Sequence, residues 1–581
     1  MKNDNEERGV MAAYSVSVAL TGSGGAGAMT AGQILLDSAS KAGFYGLMTR
    51  SMGPQIRGGE AAALVRISSA PISSLDDHYD VLIAFDWGNI NRFAAELPLA
   101  ADSLILCDPE QGDIPEPIAA YGARVGLLPL KTLAGAIPGG RANMVGLGAV
   151  AALIGLPISS VIAVLTTQLA RKGEEVLAAS TAALRTGAEQ AAGLPGVTKL
   201  PTIQHDDALR WNISGNEAAG LGALKGGIKF VAAYPITPGT EVLEWLAPAL
   251  DKTGGALIQA EDELASINMV IGGSFAGIPS LTATSGPGLS LMTEALGLAV
   301  ASETPLVVVN VMRGGPSTGI PTKSEQADLN IAVYGLHGDA PHLVVAPNSI
   351  TDCLFATQWS VYLAEALQSP AIVLSDQAMG QSRVITDKPA DSPYVAKRLV
   401  AEANVENYRR YALTPSGVSP MAIPGTPGSN YVADGLEHNE RGTPSSQASD
   451  HLAQLDKRAG KLDNFDYGSE WADVEGDGEI AIITWGATTG PAREALERAT
   501  AKGIKARLIS LRLILPAQPA KFGAALAGVK KALVVEQSHS QQFYKFLRAH
   551  YDLPAEVSVL NRPGPLPIRP AEILTRLAAW E

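Results

Sequence analysis

An arginine and a threonine in the middle of the chain are of the right types to bind a carboxylic acid. Arg313 ends the apolar run 306–312 and is followed by two glycines, which let a ligand approach the backbone closely. A guanidinium group can hold a carboxylate through two parallel hydrogen bonds. Thr237 stands between Pro235 and Pro238, and this rigidity suits a hydroxyl that is held toward a ligand. The alternative for Arg313 is a salt bridge with a purely structural role.

Glu263 is a carboxyl group that could exchange protons with a ligand. A strand-like run, 256–260, precedes it, and a helical pattern over 264–275 follows. Burial favours the protonated form of a carboxyl group, which can then act as a general acid. Glu261 competes with Glu263 for this role. The structural alternative is an acidic cluster that caps the helix and interacts with its dipole.

A sheet of the α/β class must position these residues. The run 230–233 predicts a buried strand that stops at Tyr234-Pro235, since proline supplies no N–H to a sheet. Further apolar runs alternate with helical segments, which predicts parallel, doubly wound sheets. The carboxyl ends of parallel strands share one edge, where ligands bind, so we expect the polar residues to converge there. The alternative for the turn is a simple helix start with Thr240 as N-cap.

A glycine-rich turn at 22–27 follows a predicted strand at 13–21 and precedes a predicted helix at 29–42. Its spacing is that of a dinucleotide fingerprint. That fingerprint requires an acid about 20 residues later, and the segment around Arg50 contains no carboxylate. We therefore favour phosphate binding or close packing against a partner. A second loop, 52–60, carries Arg57 among mobile glycines.

Several motifs resemble, in sequence and in order, those of the 2-oxoacid:ferredoxin oxidoreductases. The likeness is to the α subunit in its form with a fused γ domain. The motifs that carry it are GNEAAG at 215–220, YPITP at 234–238, EDELASI at 261–267, TSGPG at 284–288 and RGGPSTG at 313–319. Two positions depart from the family pattern, because Gly239 stands where serine is usual and Met421 where arginine is usual.

The resemblance implies an α/β chain of three domains. A γ domain with a mostly parallel sheet would occupy 1–195, and a doubly wound domain of the thiamine-enzyme pyrimidine-binding type would occupy 208–385. A transketolase-C-like domain would complete the chain at 474–581. Between the last two domains, over 386–473, the pattern of regular structure is lost and proline and glycine are frequent, which predicts a linker or cover.

The resemblance also implies roles for individual residues. Glu263 would activate thiamine diphosphate, with Tyr234 and Pro235 as further contacts to this cofactor. Thr237 and Arg313 would bind the carbonyl and carboxylate of a 2-oxoacid. The remaining candidates are Thr318, Thr322 and Lys323 for the substrate, and Arg57 for coenzyme A.

The metal sites implied by the resemblance are expected on a partner. Thiamine enzymes hold the diphosphate through Mg²⁺ with a Gly-Asp-Gly motif and a later asparagine. The chain contains this motif at 476–478, but no asparagine follows until Asn561, so we predict only a turn before the strand 480–485. Cys107 and Cys353 cannot ligate an iron–sulfur cluster or a structural zinc by themselves. We therefore expect no metal here, with Mg²⁺ and a [4Fe–4S] cluster on a β subunit in an (αβ)2 assembly that reduces ferredoxin.

Composition restricts the class of protein. The chain has 581 residues, 46% of them apolar and 18% charged, which indicates several domains with ample cores. A net charge of −14 argues against nucleic acid or an anionic membrane as a partner. The apolar runs have the length of strands and are too short to span a bilayer, and the polar N-terminus does not resemble a signal peptide. We expect a cytoplasmic protein.

The implied reaction is the reversible oxidative decarboxylation of a 2-oxoacid with coenzyme A, giving acyl-CoA, CO₂ and reduced ferredoxin. We favour 2-oxoglutarate over pyruvate or branched-chain acids, because fused γ–α chains often serve it. Two alternatives remain. One is a self-sufficient transketolase-like enzyme, against which the missing diphosphate motif argues. The other is a non-catalytic dinucleotide-binding protein built on residues 22–27.

Overall fold

The computed structural model describes residues 14–53, 58–203 and 210–580. These residues form two compact units. The N-terminal unit contains the described residues up to Ile213 together with Ser382–Pro389. The C-terminal unit contains Ser214–Gln381 and the described residues from Ala390 onward.

The described strands are numbered in chain order. They are β1 Ser15–Ser23, β2 Tyr45–Met52, β3 Glu60–Ser68, β4 Tyr79–Ala84, β5 Leu99–Cys107, β6 Arg124–Leu127, β7 Arg210–Ser214, β8 Phe230–Ala233, β9 Ala256–Gln259, β10 Ser280–Thr284, β11 Leu306–Met312, β12 Leu343–Val345, β13 Pro370–Asp376, β14 Arg383–Asp387, β15 Ala472–Gly476, β16 Ile480–Trp485, β17 Ala506–Leu511, β18 Leu513–Leu515, β19 Lys531–Glu536 and β20 Glu556–Asn561.

The described α-helices are numbered in the same way. They are α1 Ala28–Lys41, α2 Glu116–Ala119, α3 Leu130–Gly135, α4 Ala142–Leu153, α5 Ile158–Leu169, α6 Glu174–Gln190, α7 Gly215–Gly226, α8 Thr240–Lys252, α9 Glu263–Phe275, α10 Gly286–Ala301, α11 Leu329–Tyr334, α12 Asp352–Leu367, α13 Gln377–Gln381, α14 Ala448–Asp463, α15 Thr489–Ala501, α16 Pro519–Ala525, α17 Gln542–His550 and α18 Pro570–Ala578.

The N-terminal unit is built on an eight-stranded sheet with the order β6-β5-β4-β1-β3-β2-β14-β7. Strands β1, β4, β5 and β6 are parallel, as the alternation of strands and helical segments predicts. Strand β3 is antiparallel to both β1 and β2. The connection from β2 to β3 is too short for a parallel crossover, which needs a dozen or more residues. The α/β class is confirmed, and the antiparallel strands around β3 are an addition that the alternation does not reveal.

The C-terminal unit contains two sheets, and both are mainly parallel. The first has the order β18-β12-β13-β11-β10-β8-β9, and the second has the order β15-β17-β16-β19-β20. Strand β18 follows β17 in the chain, yet it pairs with β12 of the first sheet in an antiparallel manner. The segment that builds the second sheet therefore also extends the first one.

The predicted loss of regular structure over 386–473 is correct for residues 388–447 and wrong for 448–463, which form α14. The buried residues of this helix are mostly polar: Gln454, Lys457, Arg458, Lys461 and Leu462. Hydrophobic periodicity is the main signal of a helix in a sequence. The buried face of this helix does not follow that signal, because it is formed mainly by lysine, arginine and glutamine side chains.

Candidate active site

Polar residues collect at one edge of the seven-stranded sheet. Strands β8, β9, β10, β11 and β13 are parallel, so their carboxyl ends lie on the same side. At this edge Thr284 is paired with Asn310, and Met312 is paired with Asp376. In open parallel sheets this edge is where ligands bind. The convergence predicted from the strand ends is therefore present.

The turn after β8 presents Tyr234 and Thr237 to the solvent, with Pro235 half-buried. Thr240 is the first residue of α8 and the N-cap is Gly239, so the predicted capping role of Thr240 is wrong. A methyl-sized side chain on Gly239 would lie 2.8 Å from the Thr284 carbonyl oxygen. Because the turn packs this closely on β10, glycine fits at the position where the related family has serine.

Arg313 follows β11 directly and is 7% exposed. Its Nη1 donates a hydrogen bond of 2.6 Å to the carbonyl oxygen of Thr237, which joins the ends of β8 and β11. Its Nε is buried and has no acceptor among the described residues. Burial lowers the pKa of Arg313, and the nearby charge of Asp328 opposes this shift. The guanidinium is thus anchored through one nitrogen, with further donors left for a ligand.

The segment 313–323, called the Arg313 loop below, returns on itself. Gly314 N donates to the carbonyl oxygen of Lys323 over 3.0 Å, and Ile320 N donates to the carbonyl oxygen of Gly314 over 2.8 Å. Lys323 and Thr322 are half-buried on the returning limb, and the Thr322 hydroxyl is buried without a partner in the described chain. Thr318 lies at the exposed tip. The loop brings Thr322 and Lys323 back toward the strand that ends at Arg313, whereas Thr318 stands away from it.

Glu263 is the first residue of α9 and is 6% exposed, whereas Glu261 is exposed. The N-cap is Asp262, whose carboxylate accepts a 2.7 Å hydrogen bond from Ala265 N. The capping function that competed for Glu263 therefore belongs to its neighbour. A methyl-sized side chain on Gly288, in the first turn of α10, would lie 2.8 Å from Glu263 Oε1. The absence of a side chain at Gly288 makes room for the Glu263 carboxyl.

Asp328 and Asn310 also belong to this edge, and the sequence analysis did not select them. Asn310 Nδ2 donates to Asp328 Oδ2 over 2.9 Å. Burial raises the pKa of Asp328 to about 6, although the Asn310 hydrogen bond and the charge of Arg313 lower it. The Asp328 carboxylate lies in the space left by Gly286, 2.6 Å from where a methyl group would be. One polar residue inside the apolar run LVVVNVM is the signal that could have revealed Asn310.

The glycine-rich turn of the N-terminal unit is occupied by the protein's own groups. Asp86 accepts hydrogen bonds from Ser23 N at 3.0 Å and from Ser23 Oγ at 2.7 Å. A carboxylate thus already occupies donors that a phosphate would need. A side chain on Gly27 would collide with Asn143, so close packing explains that glycine. Arg57, the candidate for coenzyme A, lies outside the described residues.

The Gly-Asp-Gly motif is a turn, as predicted. Gly476 ends β15, and β16 begins at Ile480. Arg507 holds the turn, donating to the carbonyl oxygens of Gly478 at 2.9 Å and of Asp477 at 3.0 Å. The motif therefore connects two strands of the second sheet.

Three protein-family models match the chain. Residues 221–457 match the model described as pyruvate flavodoxin/ferredoxin oxidoreductase, thiamine diphosphate-binding. Residues 17–190 match the pyruvate ferredoxin/flavodoxin oxidoreductase model, and residues 470–543 match the transketolase C-terminal domain. The α subunit of 2-oxoacid:ferredoxin oxidoreductase 2 from Aeropyrum pernix is 30% identical over 617 residues, which cover 94% of this chain and 95% of that protein. This chain belongs to the 2-oxoacid:ferredoxin oxidoreductases.

Other members of the oxidoreductase family are also similar to this chain over most of its length. The 2-oxoglutarate oxidoreductase subunit KorA of Mycobacterium tuberculosis is 31% identical over 528 residues, covering 85% of this chain and 80% of the relative. A solved structure of 2-oxoglutarate:ferredoxin oxidoreductase from Magnetococcus marinus, with 2-oxoglutarate, coenzyme A and succinyl-CoA bound, superposes with a TM-score of 0.90. It is 36% identical and covers 97% of this chain and 99% of its own.

Family membership confirms the oxidoreductase class and the α/β fold predicted from the motifs. The non-catalytic dinucleotide-binding alternative is left without support, since the relatives are named as subunits of enzymes. In the described parts of this oxidoreductase chain, no helix combines the length and the apolar character that a bilayer crossing requires. The thiamine diphosphate named in the family description fits the site, because the chain places a buried carboxyl, Glu263, in a slot kept open by Gly288.

Proposed function

We propose that this subunit binds the 2-oxoacid and activates thiamine diphosphate in an enzyme that converts 2-oxoglutarate, coenzyme A and oxidised ferredoxin into succinyl-CoA, CO₂ and reduced ferredoxin, and also runs in reverse. The observation that carries the proposal is the buried guanidinium of Arg313 at the carboxyl edge of the sheet. One of its nitrogens donates to the Thr237 carbonyl oxygen, and its other N–H groups are left to bind a substrate. The preference for 2-oxoglutarate is supported by the names of the KorA relatives and of the Magnetococcus structure.

Arg313 would hold the substrate's C1 carboxylate. Its Nη1 already donates to the Thr237 carbonyl oxygen, so the orientation of the guanidinium is set before the substrate binds. The exposed Thr237 hydroxyl would donate to the 2-oxo group. Thr322 and Lys323, on the returning limb, would meet the second carboxylate of 2-oxoglutarate, and Thr318 would reach the substrate only if the loop tip closes. Losing the bidentate contact in Arg313→Ala should cost roughly 2–4 kcal/mol of binding free energy.

Glu263 would donate a hydrogen bond to the aminopyrimidine ring, with Tyr234 and Pro235 as neighbouring contacts. Bound thiamine diphosphate supplies a carbon nucleophile and an electron sink for decarboxylation. The burial of Glu263 and the exposure of Glu261 support the choice of Glu263 over Glu261.

In the assembled enzyme, Glu263→Gln should slow exchange of the C2 proton of bound thiamine by about 10²–10⁴-fold, the range for a general acid–base group. Quenched NMR measures this exchange without turnover, and Glu261→Gln is the matched control. Equal exchange in both variants and the wild type would remove this role.

The partner is proposed to be a β subunit that carries Mg²⁺, the diphosphate site and a [4Fe–4S] cluster, in an (αβ)2 assembly that reduces ferredoxin. Apolar side chains that are exposed on β9, α9, α10 and the turn after α9 support such a partner, since exposed apolar surface indicates an interface. They are Ile258, Leu264, Met269, Ile278 and Leu291.

Coenzyme A would bind at the N-terminal region, where Arg57 is the candidate contact. The two cysteines are free and buried, which is consistent with the cytoplasmic location that we propose.

We also propose that function divides along the chain at 1–195, 208–385, 386–473 and 474–581. The family models matched at 17–190 and 470–543 support the first and last of these segments, whereas the model matched at 221–457 extends across the boundary at 385–386.

Co-expression with the β subunit tests the proposed function. The purified complex should be brown and should reduce viologen dyes with 2-oxoglutarate and coenzyme A. This chain alone should be colourless and inactive. Stoichiometric iron and activity in the isolated chain would contradict the assignment of the iron–sulfur cluster and the diphosphate site to the β subunit. Higher kcat/KM with pyruvate would contradict only the choice of substrate.

A further inference from the structure

The segment that follows the Arg313 loop is bound by the C-terminal sheet. Gln326 is 1% exposed, and its Nε2 donates to the carbonyl oxygen of Trp485 over 2.8 Å. Its Oε1 accepts a hydrogen bond from Gln537 N at 2.7 Å, and its own N donates to the Gln537 carbonyl oxygen at 2.8 Å. Trp485 ends β16, and Gln537 directly follows β19. These strands are parallel neighbours, so Gln326 lies at the carboxyl edge of the second sheet.

Two glycines make room for this segment. Gly486 has φ 63°, and a methyl group on it would lie 2.7 Å from Gln326 Nε2. A side chain on Gly564 would overlap the carbonyl oxygen of Ser324. Both glycines belong to the C-terminal sheet region, and each one faces the same short segment. The crevice is therefore shaped to accept residues 324–326.

Further contacts hold the segment on both sides of Gln326. Gln537 Nε2 donates to the carbonyl oxygen of Ser324 at 3.5 Å. Gln542, the first residue of α17, donates from Nε2 to the Ala327 carbonyl oxygen at 2.9 Å. Its Oε1 accepts from Asn330 N at 2.9 Å. The segment 324–330, which includes Asp328, is thus fixed at its start, middle and end.

This edge of a parallel sheet is where ligands bind in open α/β folds. Here the chain's own glutamine occupies it. We propose that the C-terminal domain acts as a clamp that positions the Arg313 loop, with Gln326 as the positioning residue. The inference rests on the proposed function, in which this loop binds the 2-oxoacid.

The physical reason is that the loop leads directly into the clamped segment. Its limbs are joined by the backbone hydrogen bonds of Gly314, Ile320 and Lys323, while its tip is exposed. Thr322 and Lys323 directly precede the clamped segment, and Asp328 lies inside it. A clamp that holds residues 324–330 therefore sets where the returning limb meets a substrate. Small displacements of positioning groups have large effects on rate, because catalysis requires aligned reactants.

The test uses the assembled enzyme with the variants Gln326→Met and Gln542→Ala. Methionine has a similar volume to glutamine and removes both side-chain hydrogen bonds to Trp485 and Gln537. The matched control is Gln518→Ala, because among the described residues the Gln518 side chain donates only to the nearby carbonyl oxygens of Pro516 and Ala517. Hydrogen–deuterium exchange over 313–330 measures the order of the loop without substrate. Steady-state kinetics measure KM for 2-oxoglutarate and for coenzyme A.

We expect faster exchange over 313–323 in both variants, and a KM for 2-oxoglutarate raised roughly tenfold or more. The KM for coenzyme A and the content of thiamine diphosphate should not change, and the control should match the wild type in all readouts. Wild-type exchange in both variants would overturn the clamp. Faster exchange with an unchanged KM would overturn its link to the substrate. An unchanged KM for 2-oxoglutarate in Arg313→Ala would contradict the proposed function itself. This result is distinguishable from failure of the clamp, because it does not involve Gln326 or Gln542.

Discussion

The guanidinium of Arg313 is held by a backbone atom, and this determines which substitutions should matter. Its partner is the carbonyl oxygen of Thr237, which survives any change of the Thr237 side chain. Arg313→Lys cannot reproduce a planar fork that binds a carboxylate and the carbonyl together. We expect Arg313→Lys to lower kcat/KM for 2-oxoacids by about 10²-fold, corresponding to the loss of one charge-assisted pair.

Thr237→Ala is the comparison for this prediction. It should leave Arg313 in place and affect kcat/KM less than Arg313→Lys does. Steady-state assays of the assembled enzyme with several 2-oxoacids check both variants. A lysine variant as active as the wild type would show that the carboxylate binds elsewhere.

Asp328 gives the site a dependence on pH. Burial raises its pKa to about 6, while the Asn310 hydrogen bond and the charge of Arg313 act in the opposite direction. Below pH 6 the side chain is mainly neutral, and above pH 6 it is an anion near the Arg313 guanidinium, which we propose binds the substrate's carboxylate. We therefore expect KM for 2-oxoglutarate to rise as the pH increases through about 6 and to level off above it.

Asp328→Asn should remove this rise in KM, because asparagine stays neutral at every pH. The measurement is log KM against pH from 5 to 8 in the assembled enzyme. Glu325→Gln is the matched control, since Glu325 is another loop carboxyl with a pKa raised by burial, but its charged neighbours are Asp328 and His539 and do not include Arg313. An identical pH profile in Asp328→Asn and the wild type would show that this charge does not reach the substrate.

Some of these residues could be predicted from the sequence and others could not. Arg313 and Glu263 stand at strand and helix ends, where a break in the apolar pattern marks them. Asp328 comes from an irregular segment, and its position depends on Asn310 and on the gap at Gly286. Such a contact joins residues that no local pattern relates, so only the folded chain reveals it.

At the scale of elements, the first turn of α10 shapes the slot that holds the Glu263 carboxyl. A side chain on Gly288 would lie 2.8 Å from Glu263 Oε1 and would overlap the Thr284 hydroxyl. Gly288→Ala should therefore displace Glu263 without removing it. We expect slower exchange of the C2 proton of bound thiamine, by about 10-fold or more, since a general acid must lie within hydrogen-bonding distance.

Gly297→Ala is the matched control on the same helix. A methyl group there would have only His337 Nε2 near it, at 4.0 Å. Alanine has a higher helix propensity than glycine by about 1 kcal/mol, so this variant should be equally or more stable and should exchange normally. Normal exchange in Gly288→Ala would mean that the slot tolerates a methyl group and that its shape does not control Glu263.

The elements themselves were predictable to different degrees. The strands that end at Ala233 and Met312 match the apolar runs 230–233 and 306–312, because parallel strands buried on both faces are rich in apolar residues. Helix α14 was missed because its inward face is charged. The antiparallel direction of β3 was missed, because the length of a connection, and not its composition, decides between a hairpin and a crossover.

At the scale of the whole molecule, buried charges hold the segment 390–473 within the C-terminal unit. Glu303 follows α10 and is fully buried, and it accepts a hydrogen bond from Lys461 Nζ at 3.0 Å and another from Lys457 Nζ. Arg410 donates to its carbonyl oxygen at 2.8 Å. Burial by itself would raise the pKa of Glu303, but Lys461, Lys457 and Arg410 outweigh it and hold the pKa well below its usual range. Burial lowers the pKa of Lys457 to about 8, partly offset by Glu303.

Glu303→Gln should loosen this region, because two buried lysines would lose their counter-charge. Removing one partner of a buried ion pair costs about 3–5 kcal/mol. We expect a lower midpoint of thermal unfolding and faster proteolysis within 388–447. The double variant Glu303→Gln, Lys461→Met should recover part of the loss, since it removes one of the uncompensated charges. The exposed pair of Glu479 and Lys530 supplies the control, as exposed pairs contribute little to stability and Glu479→Gln should change nothing measurable.

The loss of stability in Glu303→Gln, called the deficit here, should also shrink as the pH rises toward about 10, because the lysines of the unfolded chain lose their protons there as well. A deficit independent of pH would mean that the lost side-chain hydrogen bonds, and not the buried charge, hold this region in place.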